Sequence, residues 1–495
     1  MTRLSRTTLQ GFDKVQKPVY DPASLTPGIV HFGVGNFHRA HQAVYLDDLF
    51  GQGTDHDWAL VGAGVRASDD AMRDKLKEQD WLTTVVDQEA DHAGARITAS
   101  MVDYVTINTD EGRKALVDYL TAPQTRIVSL TITEGGYYID PASQQFDPAH
   151  PDIVFDGAHP DRPNTVFGLI VQALKLRRDK GIEPFTVMSC DNIPGNGHVT
   201  EDAVTGLAKL SDLDFAQWIA ENVAFPNSMV DRITPATGPR EREIAQRDFG
   251  VDDGWPVFCE GFKQWVVEDR FPTGRPALEK VGVTFTDQVD AYELMKIRIL
   301  NGGHAAIAYP AGLLDIHFVH EAMEHPLIRS YLKKLTGEEI IPEVPPVPDT
   351  NLEDYRVLID RRFANPSIGD TIRRLCLDGS NRQPKFVLPT AADRLAKGRP
   401  VSGLALVSAF WCRYCFGTTD SGNVIEPNDP SWDRLVKQAA LAKDNPSAWL
   451  AMEDIFGALA SDPVYVAAFS AALKTIWDEG AAKTLEKYLS GELTC

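Results

Sequence analysis

GIVHFGVGNFHRAHQAVYLDDLF, residues 28–50, begins as a short apolar run rich in β-branched residues, turns at Gly33-Val34-Gly35 and continues in a helical pattern. A strand that meets two glycines and then a helix is the opening of a dinucleotide-binding unit. The glycines permit a tight turn, and they let a pyrophosphate approach the backbone at a helix N-terminus. Gly33, Gly35, Asn36 and Phe37 are the residues this turn offers to a cofactor. The third glycine of the usual G-x-G-x-x-G is replaced by His38, so the fingerprint is incomplete. His38 and His41 stand three apart with no carboxylate or cysteine partner nearby, and they read as helix-start residues, not as metal ligands.

Working outward, candidate strands at 29–34, 58–65, 126–133 and 185–190 alternate with amphipathic stretches, the signature of a parallel, doubly wound sheet. Residues 135–164, rich in Gly, Pro, Asp and Tyr, read as an excursion from that sheet. From about Asp287 the strand signals fade. Helical periodicity takes over at 292–308, 319–335, 368–377, 404–416 and, with breaks, 448–488. The fold class expected is α/β: a Rossmann-type doubly wound domain over 1–286, then a mainly α-helical substrate and catalytic domain over 287–495. Proline-rich IIPEVPPVPDTN (340–351) and polar TTDSGNVIEPNDPSW (418–432) are loops within the second domain.

The ends of the candidate strands carry polar side chains. In an open parallel sheet these carboxyl ends line the ligand crevice. After the second strand come Arg66, Asp69 and Asp70. An acid there bonds the adenosine ribose hydroxyls and disfavours a 2′-phosphate, which points to NAD, whereas Arg66 pulls the other way. Asp69 lies 36 positions after Gly33, a longer interval than usual that a long first helix and the GQGTDHD loop would absorb. Glu134, in the TEGG turn after the third candidate strand, and Asn192, in SCDNIPGNG after the fourth, would face the same space. SCDNIPGNG also reads as a plain Asx-type turn.

A second stretch, YELMKIRILNGGHAAIAYP (292–310), places Glu293, Lys296, Asn301 and His304 within an apolar helical pattern. At roughly 100° per residue, Glu293 lies about 60° and His304 about 80° from Lys296 around the helix axis. Asn301, at about 140°, would join them through a local widening at Gly302 and Gly303. A desolvated lysine among a carboxylate, a carboxamide and an imidazole can become a general base. A solvated Lys-Glu pair on an amphipathic helix is the alternative.

Composition bounds the rest. The 495 residues suggest two or three domains, and 43% hydrophobic with 24% charged residues is ordinary for a globular protein. A formal net charge of −21 repels phosphate backbones and anionic surfaces, so no nucleic acid or membrane partner is expected. No signal peptide or membrane-length apolar run is present, and a cytoplasmic location is expected. The six cysteines, Cys190, Cys259, Cys376, Cys412, Cys415 and Cys495, are sparse, and the lone C-x-x-C at Cys412 and Cys415 reads as helix-core packing. No metal ligand set is evident.

Taken together, GVGNFHRAHQ, LTITEGGYY, VMSCDNIPGNG, FPNSMVDRITP, KIRILNGGH and DTIRRLCLDGSNRQPKF resemble the long-chain polyol dehydrogenases, the mannitol 2-dehydrogenase family, through nearly the whole chain. The resemblance implies metal-independent oxidation of a secondary alcohol on an open-chain polyol, with NAD as cofactor and a polyol or ketose as the small-molecule partner. By similarity Lys296 is the general base, Asn192 and Asn301 hold the developing alkoxide, His304 orients substrate and Glu293 relays the proton. Asp231 and Arg374 correspond to substrate-hydroxyl contacts. Arg382 falls near a place where some relatives have a lysine. D-Mannitol to D-fructose is the leading reaction, with D-arabinitol, D-sorbitol or a hexuronate (fructuronate reduction to mannonate) as alternatives, and a catalytically silent nucleotide-binding protein as the reading from another class.

Overall fold

The computed structural model describes residues 2–140, 143 and 145–493; Cys495 lies outside them. The chain divides into two compact units, residues 1–290 and 291–495.

The first unit is built on a five-stranded, all-parallel sheet. Its strands, in spatial order, are Met101–Thr106, Ala59–Gly64, Pro27–Phe32, Ile127–Leu130 and Thr186–Ser189. The four strands expected from sequence are its four consecutive members. The edge strand Met101–Thr106 was not anticipated, because MVDYVT alternates apolar and polar residues only weakly. Strand order reverses beside Pro27–Phe32, the switch point where such sheets bind ligands. Val30, Phe32, Val61, Val128 and Leu130 face the helices Asp110–Thr121 and Val166–Asp179. Ile29, Leu60, Ile127 and Met188 face the helix Gln42–Phe50 and Trp265. Both faces are covered, so the strands read as near-continuous apolar runs.

Two smaller sheets complete this unit. Thr83–Gln88 forms a hairpin with Ala93–Thr98 and pairs in parallel with Val257–Glu260. Gln264–Val267 pairs with Ser228–Asp231 and Thr284–Phe285. The 135–164 excursion contains its own helix, Pro151–Ala158.

The second unit is helical; its described residues form only isolated β-bridges. Ser402–Tyr414, buried from Gly403 to Tyr414, is its central helix, packed against the long helix Pro463–Ser490, which kinks at Gly480. Cys412 and Cys415 are buried free thiols within this core. The helices Leu352–Phe363, Gly379–Phe386, Leu388–Ala396 and Trp432–Ala442 were not among those expected from sequence; Gly379–Phe386 carries Pro384 in its interior. Among the described residues no single helix is long and apolar enough to cross a membrane.

Candidate functional site

At the sheet's switch point Gly33 has φ +92°, and a Cβ there would stand 2.0 Å from the Thr131 carbonyl oxygen, so only glycine fits. Thr131 Oγ1 donates to the Gly33 carbonyl at 2.7 Å, and His31 Nε2 lies 2.9 Å from Thr131 Oγ1. Around a Cβ on Gly35, in contrast, only the Gly33 oxygen approaches, at 3.8 Å, which leaves the room a pyrophosphate needs on the backbone. Asn36 is engaged by protein: its Nδ2 donates to the Pro235 oxygen and Thr237 Oγ1, and its Oδ1 accepts from Arg39. Phe37 stacks on His41 at 4.8 Å.

The long first helix expected here is interrupted. Asn36–Ala40 is one short turn of helix, His41 breaks it with φ −120° and ψ −86°, and Gln42–Phe50 begins again. His38 and His41 lie at helix starts, His38 within Asn36–Ala40 and His41 at the N-cap of Gln42–Phe50, and both are buried in the core. His38 stacks on His31 with ring centroids 3.5 Å apart, and its Nδ1 meets Gln42 Oε1 at 2.9 Å. His41 Nε2 lies 2.9 Å from the Gln264 carbonyl. Burial lowers the pKa of each to about 3, so both rings are neutral.

Asp69 does not sit at the end of its strand. Ala59–Gly64 stops earlier, and Asp69 opens the helix Asp69–Lys77. Its carboxylate nevertheless folds back over the strand end, 2.8 Å from where a Gly64 Cβ would stand, and accepts the Arg66 amide at 3.0 Å. The Arg66 side chain is exposed. Asp70 is tied to Thr106 and Asn108, a structural role.

Glu134, exposed, opens the short turn Glu134–Tyr137, which is bracketed by two left-handed non-glycine residues, Thr133 (φ 65°) and Tyr138 (φ 53°). Such conformations cost on the order of 1–3 kcal/mol and persist only when held. Asp191 holds this one: its carboxylate accepts the Ile132 and Thr133 amides, each at 2.8 Å, and the Tyr137 hydroxyl at 2.7 Å. Burial raises the Asp191 pKa despite these bonds. Asp191 is therefore the clamp of the neighbouring loop, and exposed Asn192 follows it at the same sheet edge.

The SCDNIPGNG and FPNSMVDRITP motifs interlock. Asn196 Nδ2 donates to the Ser228 oxygen at 2.7 Å, the Ser228 amide returns to Asn196 Oδ1 at 2.9 Å, and Asn227 Oδ1 accepts the Gly197 amide at 2.8 Å. A Cβ on Gly197 would meet the Phe225 oxygen at 2.6 Å, so the crossing chains require glycine. This contact fixes the strand Ser228–Asp231, which ends on buried Asp231.

In the second unit Glu293 lies in the helix Val289–Met295, and buried Lys296 begins a π-helical turn, Lys296–Asn301, that runs into the helix Gly302–Leu313. The Gly302 amide bonds the Ile297 carbonyl five residues back. The widening expected at the two glycines is thus placed ahead of them. Its geometric effect is large: at roughly 82° per residue in the five-residue ring, Asn301 comes to about 50° from Lys296 and His304 to about 10°. Asn301 Oδ1 is buried with no hydrogen-bond partner among the described residues.

His304 stacks on Phe363, centroids 3.9 Å and planes 13° apart. Burial, together with the charges of Arg374, Arg362 and Arg382, holds its pKa well below the ordinary histidine value. Arg374 forms a two-pronged ion pair with Asp370, and Arg382 Nη1 reaches the Arg374 and Leu375 carbonyls at 3.3 Å. Arg362 was not singled out in the sequence. Its signal was position, directly before the Phe363 that covers His304, and that neighbourhood exists only in three dimensions. Among the described residues no group of three or more His, Cys, Asp or Glu side chains is placed to hold a metal ion.

A reversed parallel sheet with an open glycine turn at its switch point, followed by an all-helical unit with a buried lysine on a widened turn, defines a dehydrogenase architecture. Residues 27–280 match the mannitol dehydrogenase Rossmann domain, and residues 288–477 match the mannitol dehydrogenase C-terminal domain. The mannitol 2-dehydrogenase of Cereibacter sphaeroides is 61% identical over 96% of this chain and 99% of its own. Among solved structures, a ternary complex of Pseudomonas fluorescens mannitol 2-dehydrogenase with NAD and D-mannitol is 42% identical, with TM-score 0.87, covering 99% of this chain and all of the other. A D-sorbitol dehydrogenase in substrate-free form is 34% identical, with TM-score 0.91, over 97% of this chain and all of the other. The chain belongs to the mannitol dehydrogenase family of oxidoreductases.

Proposed function

We propose that this chain catalyses the reversible, NAD-dependent oxidation of a secondary alcohol of an open-chain polyol, D-mannitol to D-fructose first. The observation that carries the reading is the π turn at Lys296–Asn301, which puts a buried lysine, a carboxamide and a neutral imidazole on one helix face. The 61% identity to a mannitol 2-dehydrogenase supports the choice of mannitol.

In this mechanism Lys296 Nζ takes the hydroxyl proton, which requires the neutral amine although free lysine titrates near ~10.4. Burial favours that form. As charge develops on the substrate oxygen, the amide N–H groups of Asn192 and Asn301 stabilise it, the work a metal does in other alcohol dehydrogenases. His304, held neutral and fixed by Phe363, orients the substrate, and Glu293 passes the proton from Lys296 onward. Asp231, Arg374 and Arg382 contact the remaining hydroxyls. Gly33, Gly35, Asn36, Phe37, Asp69, Arg66 and Glu134 would hold NAD, which would supply the hydride acceptor. We place the enzyme in the cytosol, in keeping with the buried free thiols of the five described cysteines.

The three arginine charges felt by His304 favour a second reading, a hexuronate reductase whose substrate carries a carboxylate. A panel of mannitol, sorbitol, arabinitol and mannonate, each with NAD and NADP, decides. Highest kcat/KM for mannitol with NAD is expected; turnover of mannonate alone selects the second reading, and no turnover at all refutes both.

A further inference from the structure

The π turn that carries Lys296 is fastened by a network of ions, buried at Arg298, Glu343 and Arg394 and half exposed at Asp393, Lys397 and Arg399, for which the proposed reaction has no use. Arg298 lies inside the turn, 6% exposed. Its Nη1 donates to the Glu343 carbonyl at 2.5 Å and its Nη2 pairs with Asp393. The Glu343 carboxylate, fully enclosed, meets Arg394 at 3.3 Å, Lys397 at 2.7 Å and Arg399 at 2.8 Å. Arg394 also donates to the carbonyls of Glu338 and Glu339, at 3.0 and 3.3 Å. Those two residues belong to a second π turn, Thr336–Ile340. The Glu339 carboxylate in turn accepts the Gly403 and Leu404 amides, at 2.7 and 3.0 Å, on the first turn of Ser402–Tyr414. One chain of charge-assisted bonds therefore joins both π turns to the central helix.

A π turn is rare because its ring packs less well than the four-residue ring, so it needs outside support. Two nitrogens of this deeply buried guanidinium are bonded, Nη1 to the Glu343 carbonyl and Nη2 to Asp393, while Nε has no hydrogen-bond partner among the described residues; the two charge-assisted bonds tie down Arg298 and the backbone that carries it. The close approach of Gly302 to the Phe386 carbonyl, 3.1 Å from a Cβ position, limits the other side of the turn. If the turn relaxed to α-helix, Asn301 would swing from about 50° to about 140° away from Lys296.

We propose that Arg298 is a positioning residue: by tying the Lys296–Asn301 turn to Glu343 and Asp393 it holds the wide ring open and keeps Lys296, Asn301 and His304 on one face. This rests on the reading of Lys296 as base. The test compares wild type with Arg298→Met, Arg298→Lys and Asp393→Asn by steady-state kinetics, NADH titration and thermal melting, with a crystal structure of Arg298→Met. Arg298→Met should lose about 100-fold in kcat, as expected of reacting groups misplaced by an ångström, while NADH affinity stays within about twofold. Arg298→Lys should recover part of the loss, and in the Arg298→Met crystal the Gly302 amide should move from the Ile297 to the Arg298 carbonyl. A kcat within about twofold of wild type, or NADH affinity falling in step with kcat, overturns the proposal. Should Arg298→Met not fold, Asp393→Asn, whose carboxylate is half exposed, decides: a loss of about fivefold in kcat at unchanged NADH affinity supports it and no loss overturns it. A wild type inert toward every polyol refutes the functional reading alone, and the crystal structure still shows whether Arg298 holds the turn.

Discussion

His31 and His38 stack ring on ring, centroids 3.5 Å apart and planes 12° from parallel, at the position where a complete G-x-G-x-x-G turn brings its third glycine against the sheet. A glycine would let helix and strand touch by having no side chain. Here two flat neutral rings set the spacing instead, with His38 fixed by Gln42 and His31 by Ser129 and Thr131. Because Thr131 also donates to the Gly33 carbonyl, the stack and the glycine turn form one unit.

That unit has a consequence for acid stability. Burial depresses the pKa values of His31, His38, His41 and His304, two of them to about 3. The unfolded chain binds these protons near pH ~6.5 while the folded chain refuses them, so the contribution is full above that pH and is lost as pH falls toward the folded values. Melting temperature should decline from about pH 6.5 downward, each histidine adding up to ~1.4 kcal/mol of loss per pH unit. His38→Asn should flatten the slope. A melting temperature level between about pH 7 and about pH 5 would contradict this assignment.

The sheet was legible because its strands are buried on both faces, so 29–34 and 126–133 stand out as apolar runs whatever their surroundings. The broken first helix was not, since what breaks it is His41 bonding a carbonyl on the distant strand Gln264–Val267. The same holds at the lysine helix. Rotation at 100° per residue exposed Asn301 as the misfit and so called for a widening, but the place of that widening depends on Arg298 reaching Glu343, 45 residues along the chain. Asp191 shows the limit from the other side. Its sequence context is that of an ordinary Asx turn, and its function as a clamp lies in two amides and a hydroxyl contributed by 132–137.

Lys296→Ala should remove polyol oxidation while leaving NADH binding nearly intact, because the lysine acts on the alcohol proton and not on the cofactor. General bases contribute about 10²- to 10⁴-fold, and a loss of kcat in that range is expected. The wild-type kcat/KM profile for oxidation should require one deprotonated group, absent from the residual activity of the variant. Equal losses of turnover and NADH affinity would assign Lys296 to cofactor binding instead.

Prolonged treatment with a strong chelator should leave activity unchanged, since the carboxamides of Asn192 and Asn301 are assigned the charge stabilisation that zinc provides elsewhere. Each Asn→Ala change should lower kcat by about 10²-fold, the usual effect of losing one such donor. Activity lost on chelation and restored by zinc would sink the carboxamide mechanism.

Cofactor choice turns on Asp69 and Arg66. The Asp69 carboxylate lies over Gly64 at the end of the second strand in spatial sequence from the glycine turn, half-buried and held by the Arg66 amide, whereas the Arg66 side chain is exposed. A fixed carboxylate can accept both ribose hydroxyls of NAD, but it would face a 2′-phosphate at close range, and repulsion in a partly desolvated groove outweighs one mobile, solvated guanidinium. NAD should therefore be preferred, and Asp69→Ala should raise kcat/KM with NADP while lowering it with NAD. Removal of one like-charge contact of this kind is worth on the order of 1–3 kcal/mol, so the ratio of the two efficiencies should move by about 10- to 100-fold. A wild type that already prefers NADP, or a variant that changes both efficiencies alike, would show that Asp69 does not read the ribose.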